Sequence, residues 1–366
     1  MASKHPDFSQ VWGPSEQPDQ LRIDKLPLRL ASVQEYLASA GTLLAALPLL
    51  LARLALVPAR RIRPPTAKEF LGVAISPDPV FDERLPELVA ELGVRRLLLR
   101  VPVWERADFA RYRRFADRFP ACEFVLAVLQ DRGSVRNLRQ WRADLRAIFS
   151  TFAGRVSHVQ VPMAANRTKW GCVHMGEACD LLEVAHDLRA EFPWLRLVGP
   201  GVIDFEPVPW LRGLVNGRRY HLDVAGGLLY VDRRGSPHNT QYGIFDLAGK
   251  IRLWRAITDL GLRCPRRSAT PLWLTEFNWP LTGTKSWSPT GGPEMVSEDQ
   301  AATYLKEYCQ IAWQTRMVER VYWWQLVHPG FGLVDSRDGL RRRPSFTVMQ
   351  RLLSGEIPLD AAAERQ

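Results

Sequence analysis

The sequence predicts an α/β protein, a (β/α)8 TIM barrel that carries an N-terminal apolar helical extension. Three observations point there. From residue 66 onward, apolar runs of strand length alternate with amphipathic segments of helix length, eight times over. The strand-length runs are almost continuously apolar, as parallel strands covered on both faces require. The first turn after a strand, ISPDP over 75–79, lacks the glycines that usually cradle phosphate in an open doubly wound sheet. The chain has 366 residues, enough for one barrel of about 250 residues and an extension.

Residues 1–35 read as a polar segment, the first 20 of them carrying three prolines and expected to pack loosely. Residues 36–57 are mostly apolar and leucine-rich, interrupted by Pro48 and Arg53. A link holding Arg60, Arg61, Arg63, Pro64 and Pro65 completes a 36–65 unit. A cleavable signal is disfavoured, because about 35 residues precede the apolar run. A spanning helix needs about 20 apolar residues and would have to accept Arg53 and Pro48. A helix in the plane of a membrane surface, or docked on the barrel, tolerates both. Residues 36–63 are thus a candidate membrane contact. If the segment spans, the trailing arginines would place the barrel on the cytoplasmic side, although Arg22, Lys25 and Arg29 precede the segment.

The barrel unit runs over 66–356, with 357–366 as a tail. Its eight expected strands cover 70–75, 96–103, 123–129, 156–161, 195–198, 224–231, 271–276 and 320–326. The helices between them cover 81–92, 109–119, 135–152, 177–192, 208–215, 244–260 and 297–316, and 346–353 closes the series. Segment 286–294, rich in Gly, Pro and Ser, reads as a flexible flap.

Hydrophobic residues make up 46% and charged residues 24%, ordinary for a soluble core. The net charge of +10 is spread over expected helix faces, and no zinc-finger, RNP or Walker pattern accompanies it. That argues against nucleic acid and for a basic solvated surface, with anionic lipid or glycan as the other reading. The five cysteines show no framework spacing, which fits reduced thiols in a cytoplasmic-type compartment. Cys172, His174 and Cys179 match no standard zinc spacing, so no metal and no cofactor is expected.

Chemistry in such a barrel sits at the C-terminal ends of the strands. Those positions hold Asp78; Arg100, Trp104 and Glu105; Asp131; Asn166, Arg167, Lys169 and Trp170; Asp204 and Glu206; Tyr230 and Asp232; Glu276, Asn278 and Trp279; and Trp324. Six of the 13 tryptophans, 104, 170, 279, 287, 323 and 324, fall there or in the following loops. Flat aromatic faces stack on sugar rings, while carboxylates and amides bind hydroxyls. The alternative is that these tryptophans pack helices onto the barrel.

The run LWLTEFNWP over 272–280 resembles the strand-seven nucleophile motif of the clan A glycoside hydrolases, and YWWQ over 322–325 resembles that clan's eighth strand. Arg100 matches an arginine the clan holds near its nucleophile. The resemblance spans about 70–353. It implies Glu276 as nucleophile, kept ionised by Arg100, with Trp104, Asn166, Trp170, Tyr230, Asn278, Trp279 and Trp324 around a carbohydrate. A structural salt bridge at the barrel rim is the competing reading of Glu276 and Arg100.

Strand four departs from the family pattern. Clan members end it with Asn-Glu, the Glu being the acid/base, whereas Met163-Ala164 stands here, and no carboxylate occurs between His158 and Gly176. One carboxylate cannot attack and donate a proton in the same step. Three explanations stay open. Another strand end supplies the proton, the candidates being Glu105, Asp131, Glu177, Asp204, Glu206 and Asp232. The substrate supplies its own group, or needs no acid. Or hydrolysis is lost and sugar binding remains. The sequence therefore indicates a glycoside hydrolase-like barrel that hydrolyses or binds an O-glycosidic oligo- or polysaccharide. The alternative is an inactive carbohydrate-binding protein or membrane-associated scaffold in surface polysaccharide metabolism. The loop over 230–242, with Arg233 and Arg234, is placed to cover such a site and to meet an acidic or phosphorylated glycan.

Overall fold

The computed structural model describes residues 25–56, 61–78, 80–261, 271–288 and 290–360. The polar segment 1–24, residues 57–60 of the arginine-bearing link, Cys264 and the last six residues lie outside them. Eight parallel strands close into a barrel in chain order. They are β1 (Leu71–Ile75), β2 (Arg96–Pro102), β3 (Glu123–Leu129), β4 (His158–Gln160), β5 (Arg196–Ile203), β6 (Val224–Leu228), β7 (Leu272–Phe277) and β8 (Arg320–Trp323). Closure is made by β1 pairing with β8, Leu71 opposite Val321 and Val73 opposite Trp323.

Strand side chains alternate between two apolar regions. On β2, Leu97, Leu99 and Val101 face the helices, in a core shared with Trp141, Ile148 and Leu181. Leu98 faces the lumen, which Val125, Ala127, Met163, Val198, Trp273 and Tyr322 fill. Arg100, one step further along the same inward face, stands where the lumen opens.

Several boundaries differ from the expected ones. β5 runs five residues beyond 198, through Gly199-Pro200-Gly201, a tripeptide that reads as a turn. Here it is a bulged strand: Pro200 and Ile203 pair with Gly226 and Leu228, three steps against two. Gly201 lies at φ +65°, and a Cβ there would come within 1.8 Å of the Pro162 carbonyl oxygen, so only glycine lets β5 approach the end of β4. The expected helix 135–152 is two helices, Arg132–Arg136 and Leu138–Phe152, joined at Asn137, whose side chain caps the second. A short antiparallel pair, Val334–Asp335 with Arg341–Arg342, follows β8 and was not foreseen. Packing continues past 356, with Ile357 and Leu359 in the outer core.

The apolar extension is a 24-residue helix, Val33–Leu56, with Pro48 inside it, preceded by a short helix, Lys25–Ala31. Both helices thus include residues of the polar segment 1–35, whose first 20 residues lie outside those described. The long helix lies on the barrel's flank against the helices Pro207–Leu214 and Leu247–Gly261. The charge that interrupts it is accounted for: Arg53 pairs with Asp259, buried on the second of those helices. At the other end Glu35 pairs with Arg212 at 2.8 Å.

Candidate active site

Glu276 points into the mouth of the barrel because β7 carries an extra residue. Leu274 and Phe277 both face the outer core, while Trp273 faces the lumen. Strict alternation from Trp273 would send Thr275 and Phe277 inward and Glu276 out among the helices. Instead Leu274 and Phe277 pair with Val321 and Trp323, three steps on β7 against two on β8. On the other side Gly227 and Leu228 pair with Leu274 and Glu276. This bulge re-aims the carboxylate, a common use of bulges beside active sites.

Both carboxylate oxygens of Glu276 are held. Arg100 Nη2 donates to Oε2, and the Tyr230 hydroxyl donates to Oε1. Glu276 is 2% exposed and Arg100 5%, so the pair is shielded from solvent. The surrounding groups stack in a chain. The Arg100 guanidinium carbon lies 3.4 Å from the Trp324 ring centroid and 5.4 Å from that of Trp170, and the Arg234 carbon lies 3.6 Å from the Tyr230 ring centroid. Arg234 also donates to the Asn278 side-chain oxygen, and Asn278 Nδ2 donates to the Trp324 carbonyl at 2.8 Å. Burial, and then the neighbouring Glu276 charge, push the Tyr230 hydroxyl well above its ordinary pKa, so it remains a proton donor to Glu276.

Two cavities are lined by the partners of Glu276, one by each, and Glu276 itself lines neither. The larger, about 340 Å³, is lined by Tyr230 with Arg167, Lys169, Asp204, Asp232 and Arg234 among others. The smaller, about 190 Å³, is lined by Arg100, Glu105, Ser76 and Tyr112 among others. Glu276 thus reaches one cavity through each of its partners. The larger one falls at the low end of the range of about 300–1,000 Å³ usual for small-ligand sites.

The six acid/base candidates divide into groups. Asp131 caps the helix Arg132–Arg136, accepting from Ser134 N at 2.6 Å. Glu177 pairs with Arg132 at 2.7 Å and accepts from Val173 N. Both are held in the loop framework. Glu105 lines the smaller cavity and accepts from the Tyr112 hydroxyl at 2.5 Å. Asp204, Glu206 and Asp232 line the larger cavity, the first two shared by Arg167.

The expected sugar-binding residues are less uniformly placed. Tyr230, Asn278, Trp170 and Trp324 surround Glu276 and Arg100, with both tryptophans buried in the lumen cluster. Asn166 clamps the end of β5, its amide bonding to the backbone of Ile203 on both sides. Trp104 is half-buried between the two apolar regions. Trp279 is 1% exposed and packs outward against Tyr304 and Trp323.

The turn after β4 is packed rather than chemical. Met163 and Ala164 are buried in the lumen cluster, and Ala164 sits at φ +45°. Gln130 fixes the turn, accepting from Met163 N at 2.9 Å and donating to the carbonyls of Met163 and Trp170. Gln130 follows the expected strand three, and Arg234 belongs to the loop expected to cover the site; what each does there follows only from its partners. Lys169 was noted there only as a strand-end residue. It lies in the larger cavity, within the fields of Asp204 and Glu276, and burial lowers its pKa to about 8. Among the described residues no group of three or more His, Cys, Asp or Glu side chains is arranged to hold a metal ion.

No protein-family model and no curated protein matches the sequence. Solved structures do match the fold. The family 39 glycoside hydrolase from Bacteroides cellulosilyticus WH2 superposes with a TM-score of 0.59 at 15% identity, over 79% of this chain and 64% of that one. A glucosidase from Croceicoccus marinus gives 0.58 at 16%, over 81% and 68%. A family 2 β-galacturonidase from Eisenbergiella tayi, bound to galacturonate, gives 0.52 at 12%, over 78% and 51%. The chain therefore spans less than two thirds of the length of the first and third of these enzymes. The likeness establishes the fold, the (β/α)8 barrel that these enzymes share.

Proposed function

We propose that the protein acts on an O-glycosidic carbohydrate at the C-terminal mouth of its barrel, with Glu276 as nucleophile. The observation that carries this reading is the doubly held Glu276 carboxylate, whose two partners, Tyr230 and Arg100, each line a cavity. A carboxylate so deeply buried is costly unless paired. The β7 bulge turns it toward the mouth rather than toward the helices. Attack on the anomeric carbon would form a glycosyl–enzyme ester while the leaving oxygen takes a proton. The larger cavity offers the donors, Asp204, Glu206, Asp232 and the ammonium of Lys169, in place of the strand-four glutamate. Water then attacks the anomeric carbon and gives its proton to the group that donated one, which frees the sugar and returns Glu276 as a carboxylate. The test is release of coloured aglycone from a panel of aryl glycosides: turnover by the native protein and its loss in Glu276→Gln support the reading.

One observation favours a second reading, sugar binding without hydrolysis. Met163 and Ala164 fill the strand-four position with packed apolar side chains. Glycan binding by calorimetry, with no turnover on any aryl glycoside, would establish it and remove the first.

We further propose that residues 36–63 contact a membrane, with the barrel on the cytoplasmic side. The exposed Arg61 and Arg63, suited to an anionic cytoplasmic leaflet, and the free thiols of the four described cysteines support this placement.

A further inference from the structure

Ten of the fourteen large apolar side chains that are exposed among the described residues lie within 30–56. On the helix Val33–Leu56 they form a stripe. Val33, Leu37, Leu44, Leu47, Leu51 and Leu54, with Ala40 between, recur at alternating steps of four and three, which keeps them on one face. The helix's only two charged residues, Glu35 and Arg53, are both turned to the barrel and paired there. The outward face thus carries no charge over its whole length.

Leucine stripes that pair in water are flanked by charged residues, which set register and partner. Here the flanking positions are Gln34, Tyr36, Gly41, Leu43, Pro48, Leu50 and Ala55, and Leu43 and Leu50 already pack on the barrel. An uncharged, predominantly apolar outer face matches lipid better than a second helix. Arg61 and Arg63, exposed just beyond it, suit anionic headgroups. The two ion pairs stand 18 residues apart, about 27 Å along the helix axis. They tie both ends to the flank. A spanning orientation would break them and strand Arg53 in hydrocarbon.

A second exposed apolar pair lies in the loop that leads into that flank. Tyr242 (69% exposed) and Ile244 (73%) precede the helix Leu247–Gly261, one of the two on which the long helix rests. Tyr242 also lines the larger cavity.

We propose that the protein lies on its side on a bilayer, with the outer face of Val33–Leu56 sunk in the plane of the interfacial layer and its inner face still docked. The lip of the larger cavity at Tyr242 and Ile244 meets the same surface, so the substrate is a saccharide held at the membrane. The substrate clause rests on the glycan reading of the Glu276 site, and the orientation refines the proposed membrane contact.

The experiment is flotation of the full chain with vesicles of phosphatidylcholine and phosphatidylglycerol. The comparison is Leu44→Gln/Leu47→Gln/Leu51→Gln, whose three sites face away from the barrel and leave its packing intact, as thermal unfolding would verify. The native chain is expected to float, and the variant to bind about tenfold or more weakly. Orientation is read by dye-labelling Leu37→Cys, Leu44→Cys and Leu51→Cys separately, in a Cys122→Ser/Cys264→Ser background, and quenching with lipids spin-labelled at different depths. Equal, shallow depth at the three sites supports the proposal, whereas a graded depth means a spanning helix and overturns it. Absence of flotation overturns it too, as does lipid-free dimerisation abolished by the triple variant, which would assign the face to a second copy. If the native chain floats at equal depth but neither binds nor cleaves any glycan, the sugar reading fails while the membrane orientation stands.

Discussion

The Arg100 guanidinium carbon lies over the Trp324 ring, 3.4 Å from its centroid. The tryptophan that sequence reasoning assigns to the sugar is 1% exposed, and in the structure it supports the cation that holds Glu276. Trp324→Ala should therefore cost stability, about 3–5 kcal/mol by the usual range for buried tryptophan, read as a lower urea midpoint. Trp324→Phe, which keeps a ring under the guanidinium, should recover much of it. A variant that lost glycan affinity with unchanged stability would show that the ring meets the sugar directly.

Arg100→Met should destabilise the fold by about 3–5 kcal/mol, because it leaves a buried carboxylate without its cation. Adding Glu276→Gln should restore part of that loss. Additive unfolding free energies in the double-mutant cycle would contradict the pairing.

Tyr230→Phe keeps the ring packed against Arg234 and removes one donor to Glu276. A hydrogen bond to a charged group is worth about 1.5–3 kcal/mol, so on a substrate that the native protein turns over, kcat should fall by about ten- to a hundredfold. KM should change little. An unchanged kcat would remove Tyr230 from the catalytic arrangement.

Strand four offers a gain-of-function test with a negative expected outcome. Ala164→Glu puts a carboxylate where the family pattern has one. Yet Ala164 is fully buried at φ +45°, in a turn fixed by Gln130. The variant should lower the melting temperature and leave aryl glycosidase activity no higher. Increased turnover would mean that the turn can reopen.

Two groups set expected pH dependences. Burial lowers the Lys169 pKa to about 8, so its ammonium predominates below pH 8 and the neutral amine above. If it is the proton donor, kcat should decline as pH rises through about 8, and Lys169→Met should lose that limb. His158 is pushed down from 6.5 to about 4, burial being the largest cause. The unfolded chain binds the proton more readily between those values, so this group's contribution to stability falls as pH drops from about 6.5 to about 4. Urea midpoints across that window should fall less steeply in His158→Gln.

The strand count and the pairing of Arg100 with Glu276 were legible because both follow from apolar runs and a local motif. Side-chain direction was not. The bulge in β7 reverses facing after Leu274, and nothing in LTEFNW announces an extra residue. Trp279, expected at the sugar, accordingly packs behind the barrel against Tyr304 and Trp323. Gly199-Pro200-Gly201 hid half of β5 because glycine and proline signal a turn unless a neighbouring backbone demands close approach. The loop roles of Asp131 and Glu177 depend on partners such as Ser134, Arg132 and Val173, whose geometry no linear spacing discloses.

The odd residue in β7 makes the site a matter of parity. Were the same residues of β7 paired with β6 and β8 without the bulge, strict alternation would turn Glu276 into the helix layer. The composition would be unchanged, and every other group named at the mouth would remain in the chain. Where this carboxylate points is therefore a property of strand register as much as of the glutamate itself, and a search for the site by residue identity alone would not see it.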